Sequence, residues 1–153
     1  MRNAALLTLL LLTQATRAQV PDTAPLNALF AGSVHFEVDR THQLIMRFHE
    51  AGVCFREDIA HLALLDSAAI TYSVEEDGIA LKCRTEHAKC LTKEIFKLDV
   101  IRVTSRVTVP RPAHDREGRQ TIAALRDLLG QAHGDLAGTI RETKPVQERM
   151  NAR

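Results

Sequence analysis

The chain has 153 residues, with 20 Lys and Arg against 19 Asp and Glu and a formal charge of +1. That balance excludes the strong positive field of a nucleic-acid or anionic-membrane binder. With no Trp and a single Tyr, stacking platforms for bases or sugars are scarce as well.

Met1 and Arg2 form a short basic start, residues 4–12 are an apolar run rich in leucine, and residues 13–18 are small and polar. Small residues at Thr16 and Ala18 suit a signal peptidase, so residues 1–18 are expected to be a secretory signal cut after Ala18. The run is too short and wrongly flanked for a membrane span, and no other stretch is apolar enough to be one. The expected product is secreted or periplasmic, starts at Gln19, and loses Arg2 and Arg17, which moves the formal charge to −1. About 135 residues remain, enough for one domain with a real core.

Residues 19–32 carry Pro21 and Pro25 and few periodic apolar positions, so they read as a lead-in with a helical turn near 26–30. From 33 to 109 the pattern is period-two alternation. Val34, Phe36 and Val38 alternate with His35, Glu37 and Asp39, and Leu44, Met46 and Phe48 alternate with Ile45, Arg47 and His49. Val53 and Phe55 alternate with Cys54 and Arg56, which puts Cys54 and Arg56 on a wet face. Ile70, Tyr72 and Val74 follow, then a turn at Glu75, Glu76, Asp77 and Gly78, where Asp-Gly supplies positive φ. Ile79, Leu81 and Cys83 mark the next strand, and 90–98 and 100–109 the last two. Such alternation means antiparallel strands with one dry and one wet face, about seven of them. Between the third and fourth, Ile59, Leu62 and Leu65 recur every three residues, which predicts a short helix or 3₁₀ turn over 57–66, with a strand through 60–64 as the competing reading.

Pro110 and Pro112 end the sheet region, because proline cannot donate to a ladder. Asp115 is placed to cap the helix that follows, with Glu117 in its first turn. Ile122, Leu125, Leu128, Leu129 and Ala132 form its apolar stripe, and Gly130 or Gly134 can end it. Residues 133–153 are polar and charged, too poor in apolar side chains to offset the entropy of ordering, and are expected to be disordered. The fold class is therefore mainly β, a small antiparallel barrel or sandwich over 33–132, capped by one C-terminal helix.

Three cysteines lie in the exported part, where oxidation is expected. Cys83 and Cys90 bracket the connection between neighbouring strands, and a bridge there staples a hairpin. Cys54 is then odd, either a free thiol or the bridge of a homodimer, and its pairing with Cys83 or Cys90 stays open because spacing does not fix connectivity.

Candidate chemistry is sparse. His35, Glu37 and Asp39 share a strand face, with His42 and His49 nearby, a set that could bind zinc if a third ligand joined; a solvated face is the plainer reading. Glu75, Glu76 and Asp77 lack the spacing of a calcium loop. No Gly-x-Ser-x-Gly elbow occurs, and Cys54 would need a histidine such as His61 beside it to act as a nucleophile. No catalytic residue, metal or cofactor is assigned. The densest positive region is Lys82, Arg84, Lys89, Lys93 and Lys97, joined by Arg102, Arg106 and Arg111 and interrupted by Glu86, Glu94 and Asp99. It could meet an acidic partner.

The order of short strands followed by the helix over 122–129, with a strand, then Ile59, Ala60, His61 and Leu62, then Ile70, Thr71 and Tyr72, resembles pleckstrin-homology-like domains. The resemblance implies a binding role and not catalysis. Lipid-binding members carry a basic first hairpin, whereas here Asp39, Arg40, Thr41 and His42 hold one firm positive charge. The function expected is an exported, non-enzymatic binding module with a protein partner. A small metal- or cysteine-dependent hydrolase, using His35, Glu37, His49 or Cys54, is the alternative. A secreted inhibitor or immunity-type protein is the third reading.

Overall fold

The computed structural model describes the backbone of residues 20–150 and the side chains of residues 20–134. The expected signal over 1–18, its cleavage and Gln19 lie outside the described residues, as do the side chains of the charged tail beyond Gly134.

The chain is mainly β and sandwich-like, with eight strands among the described residues, in two antiparallel sheets that do not close into a barrel there. A short helix α1 (Ala24–Phe30) precedes β1 (Val34–Val38), β2 (Gln43–Glu50) and β3 (Val53–His61). Then come β4 (Thr71–Ser73), β5 (Gly78–Lys82), β6 (Leu91–Ile95), β7 (Val100–Thr104), β8 (Arg106–Pro110) and the C-terminal helix α2 (Arg119–Met150). The larger sheet has the order β1-β2-β3-β6-β7 and the smaller β4-β5-β8. The count exceeds the expected seven because the run 100–109 breaks at Ser105 and its two halves enter different sheets. The Thr104 hydroxyl holds that corner, donating to the Arg106 carbonyl at 3.1 Å and accepting from the Arg106 N–H at 3.3 Å.

The expected alternation is present in β1 and β2. Val34, Phe36, Val38, Leu44, Met46 and Phe48 are all buried and join Ile79, Leu81, Val107 and Val109 in one core. Val74, expected on a dry face, is 81% exposed, because β4 ends at Ser73 before it. The 57–66 segment also differs from expectation. β3 runs on to His61, and only Leu62–Leu64 forms a 3₁₀ turn. Ile59 pairs with Ile45 on one side and Thr92 on the other, so ladder bonds from both neighbours override the three-residue spacing.

Asp77, with φ +42, is the turn residue in the left-handed region, and Gly78 is needed for a different reason. A Cβ at Gly78 would sit 2.6 Å from Thr108 Cγ2 and 2.7 Å from the Val109 carbonyl oxygen. The approach of β8, and not the turn, demands glycine there.

The two helices close the sandwich. Leu125, Leu128, Leu129 and Ala132 are buried as their spacing predicts, and each leucine contributes about 1.5–3 kcal/mol of transfer free energy. Arg126 anchors the helix by donating to the carbonyls of Ser67 and Ile70. Gly130 and Gly134 lie inside α2 and do not end it, since glycine weakens a helix by about 1 kcal/mol without forbidding it. Asp115, 1% exposed, performs the expected capping across a 3₁₀ turn: its carboxylate accepts the N–H groups of Gln120 and Thr121 and the Thr121 hydroxyl. Burial raises the Asp115 pKa, but the Thr121 hydroxyl and the two N–H groups outweigh it, and the net shift is below the ordinary 3.8. A depressed pKa gives stability that is present above the ordinary value and lost as pH falls through the folded one. Asp115→Asn should therefore cost about 1–2 kcal/mol at neutral pH, with the gap to the wild type narrowing in strong acid. Denaturant unfolding at both pH values checks it.

Candidate functional site

Register divides the inner face of the larger sheet into two halves. The rows across it read Val34–Phe48–Arg56–Ile95–Val100, Phe36–Met46–Asp58–Lys93–Arg102 and Val38–Leu44–Ala60–Leu91–Thr104. The β1–β2 half is apolar and packed. The β3–β6–β7 half carries Arg56, Asp58, Lys93 and Arg102 side by side, and the middle row places Lys93 between Asp58 and Arg102. Arg56 thus faces inward and not onto the wet side that simple alternation assigned it. A register irregularity between Phe48 and His49, opposite Phe55, shifts the start of β3, and Val53 is left 64% exposed.

Asp58 is fully buried and its charge is spent on Arg56. Arg56 Nε lies 3.0 Å from each carboxylate oxygen, Nη2 makes a closer contact to Oδ2, and Nη2 also donates to the Thr108 carbonyl at 3.2 Å. The guanidinium carbon stands 3.8 Å over the Phe48 ring centroid. Arg56 thereby ties β3 to the open edge of β8, across the two sheets.

The expected cationic patch divides into paired and unpaired members. Arg106 forks onto Glu76 at 2.8 and 2.7 Å, and Thr108 also donates to that carboxylate. Those bonds, Arg106 first, hold the Glu76 pKa down at about 2. Arg111 is spent on Asp77, which also accepts the Tyr72 hydroxyl at 2.6 Å. The acidic turn is thus a clasp for two arginines. Arg84 points to the Leu65 carbonyl and to His133 on α2, Lys97 lies 4.0 Å from Glu50, and Lys82 and Lys89 are exposed, on β5 and in the connection before β6. Lys93 and Arg102 differ from the rest in standing directly opposite each other on one face; like Lys82 and Lys89, they are in no ion pair among the described residues. Burial, followed by the Arg56 guanidinium, holds Lys93 below its ordinary 10.5; Arg102 adds to this, and Asp58 and Glu76 pull the other way.

Among the described residues β7 is also an edge, and its outer side is apolar. Ile101 and Val103 are 66% and 55% exposed, and Phe96 and Leu98 extend that surface from the preceding 3₁₀ turn. The opposite edge, β1, is closed. The Asn27 side chain on α1 donates to the Phe36 carbonyl at 2.9 Å and accepts the Phe36 N–H at 2.7 Å, imitating a paired strand.

The Cys83 and Cys90 sulfurs are at bonding distance, with Cα atoms 5.7 Å apart. A loop this short stabilises by about 2–3 kcal/mol in the chain-entropy account. Cys54 is a half-buried free thiol that donates to the Arg56 carbonyl, and its cross-strand neighbour is His49. His61 lies at the other end of β3, about 23 Å away at the rise of a strand, so it does not reach Cys54. Arg47 bridges Glu37 and Glu57 at 2.7 Å each, and Asp39 accepts from Thr41 and Gln43, which occupies two carboxylates of the suggested zinc set. Among the described residues no three His, Cys, Asp or Glu side chains converge on one point. None of their helices is long and apolar enough to cross a membrane.

The sequence carries no local signal for the inward roles of Arg56 and Asp58 or for the edge-sealing role of Asn27. Charges fall on both faces of β3, so parity gave no dry side, and the isolated Asn27 carries no pattern. Arg102, Ile101 and Val103 were legible as a strand but not as an edge. Compared with known proteins, the chain matches no family model, no curated protein and no solved structure.

Proposed function

We propose that this is an exported, non-enzymatic interaction module, and that the β6–β7 end of its larger sheet receives a protein partner. The observation that carries the reading is the conjunction on β7 of an open strand edge, two exposed β-branched side chains and an uncompensated arginine. Soluble folds manage such edges by covering or charging them, as Asn27 does for β1, and an edge left apolar and open is a surface for another chain. The Cys83–Cys90 bridge supports an oxidising compartment. No arrangement of nucleophile, base and oxyanion donors accompanies the surface among the described residues, which favours binding over the hydrolase alternative.

The test is a native capture from the protein's own compartment, with oxidised chain from Gln19 onward as bait. A stoichiometric partner should be retained by wild type and by Lys82→Glu and lost with the pair Lys93→Glu and Arg102→Glu. A partner held equally by all three baits, or hydrolytic turnover lost on Cys54→Ala, would overturn the reading.

A further inference from the structure

We infer that β7 accepts an extended acidic–apolar segment of the partner as a sixth strand of the larger sheet. The inference rests on the interaction-module reading and specifies the chemistry of the partner. In a strand added beside β7, side chains opposite Ile101 and Val103 emerge on the outer face, while the one opposite Arg102 emerges beside it on the inner face, with Lys93 one strand further in. The outer positions offer two exposed branched aliphatics, 66% and 55% accessible, and call for apolar side chains. The inner position offers Arg102, which is in no ion pair among the described residues and has Lys93 directly behind it, and calls for a carboxylate. Like charges directly opposite on neighbouring strands destabilise the sheet, so an incoming acid relieves a cost already present. Apolar, acidic, apolar is therefore the alternation the edge reads, with main-chain hydrogen bonds supplying the sequence-independent share.

A second copy of the chain fits less well. Two-fold antiparallel pairing centred on the strand sets Arg102 against its own copy. The β1 edge cannot compete for the segment, since Asn27 holds both backbone groups of Phe36.

The experiment titrates two synthetic peptides of about six residues, an ordinary strand length, one alternating Val with Glu and the other Val with Lys, into the oxidised chain from Gln19 onward. Binding is read by fluorescence anisotropy, and the site by amide shifts in β7. The Glu peptide should bind at least about tenfold tighter than the Lys peptide and shift residues 100–104. Arg102→Glu should invert that preference, and Ile101→Lys should weaken both peptides. The inversion separates recognition from damage, because a misfolded variant loses binding without reversing its choice. Equal binding of both peptides, shifts confined elsewhere, or β7-mediated self-association that excludes both would overturn the strand-addition inference. If neither peptide binds while the native capture still yields a partner lost on Lys93→Glu and Arg102→Glu, strand addition fails and the interaction-module reading stands; if the capture fails too, both fall.

Discussion

Asp58→Ala should destabilise the protein by about 3–5 kcal/mol, the cost of leaving a buried charge without its partner. Asp58 is fully buried, and the Arg56 side chain that chelates it is 15% exposed, so the substitution strands a guanidinium between the two sheets. Lys93 worsens the result. It lies opposite Asp58 across the β3–β6 pair, and removing the one acid in that row leaves Lys93 and Arg102 facing each other with Arg56 in the adjacent row. The companion variant, Arg56→Met with Asp58→Leu, should recover much of the loss, because replacing both members with apolar groups removes the desolvation problem. Denaturant unfolding of the two variants decides it. A loss below about 1 kcal/mol for Asp58→Ala would mean that the pair is hydrated and that Arg56 does not hold the sheets together.

Phe36→Ala should cost about 3–5 kcal/mol, and its position makes the consequence more than a cavity. Phe36 is 1% exposed, its ring centroid is 5.0 Å from that of Phe30 on α1, and its two backbone groups are held by Asn27 on the same helix. Emptying the site should loosen α1 and with it the cover over the β1 edge. The expected signature is a fall in the unfolding midpoint together with concentration-dependent association, because a second strand edge becomes available. A stability loss without association would show that Asn27 seals the edge unaided.

The parts of the fold legible in the sequence are those where one face is dry and the other wet. Phe36 and Met46 announce their side by parity, Leu125 and Leu129 by helical spacing, and Asp115 by its place before an apolar stripe. The bridge between Cys83 and Cys90 was legible because the two cysteines bracket one connection. Parity fails where charge faces inward. Arg56, Asp58 and Lys93 line an inner face, and no local pattern distinguishes them from solvated side chains until register sets Arg56 in a row with Phe48, and Asp58 and Lys93 in a row with Met46. Edge position is equally non-local. That β7 has one neighbour follows from the corner at Ser105, which sends β8 to the other sheet, and from β3 pairing with β6 across a long excursion. The candidate surface therefore emerged from topology, although most of its cations were visible as a crowd in the sequence.

The most direct test of the open edge is amide hydrogen exchange on the free, oxidised chain, resolved by residue. Alternate N–H groups of a strand point to opposite sides, so an edge strand shows alternating protection and a covered one does not. The Phe36 amide on β1 should be protected through its bond to Asn27, while every second amide across residues 100–104 exchanges fast. Uniform protection along β7 would contradict the account, because it would mean that the edge is already paired or covered in the protein alone.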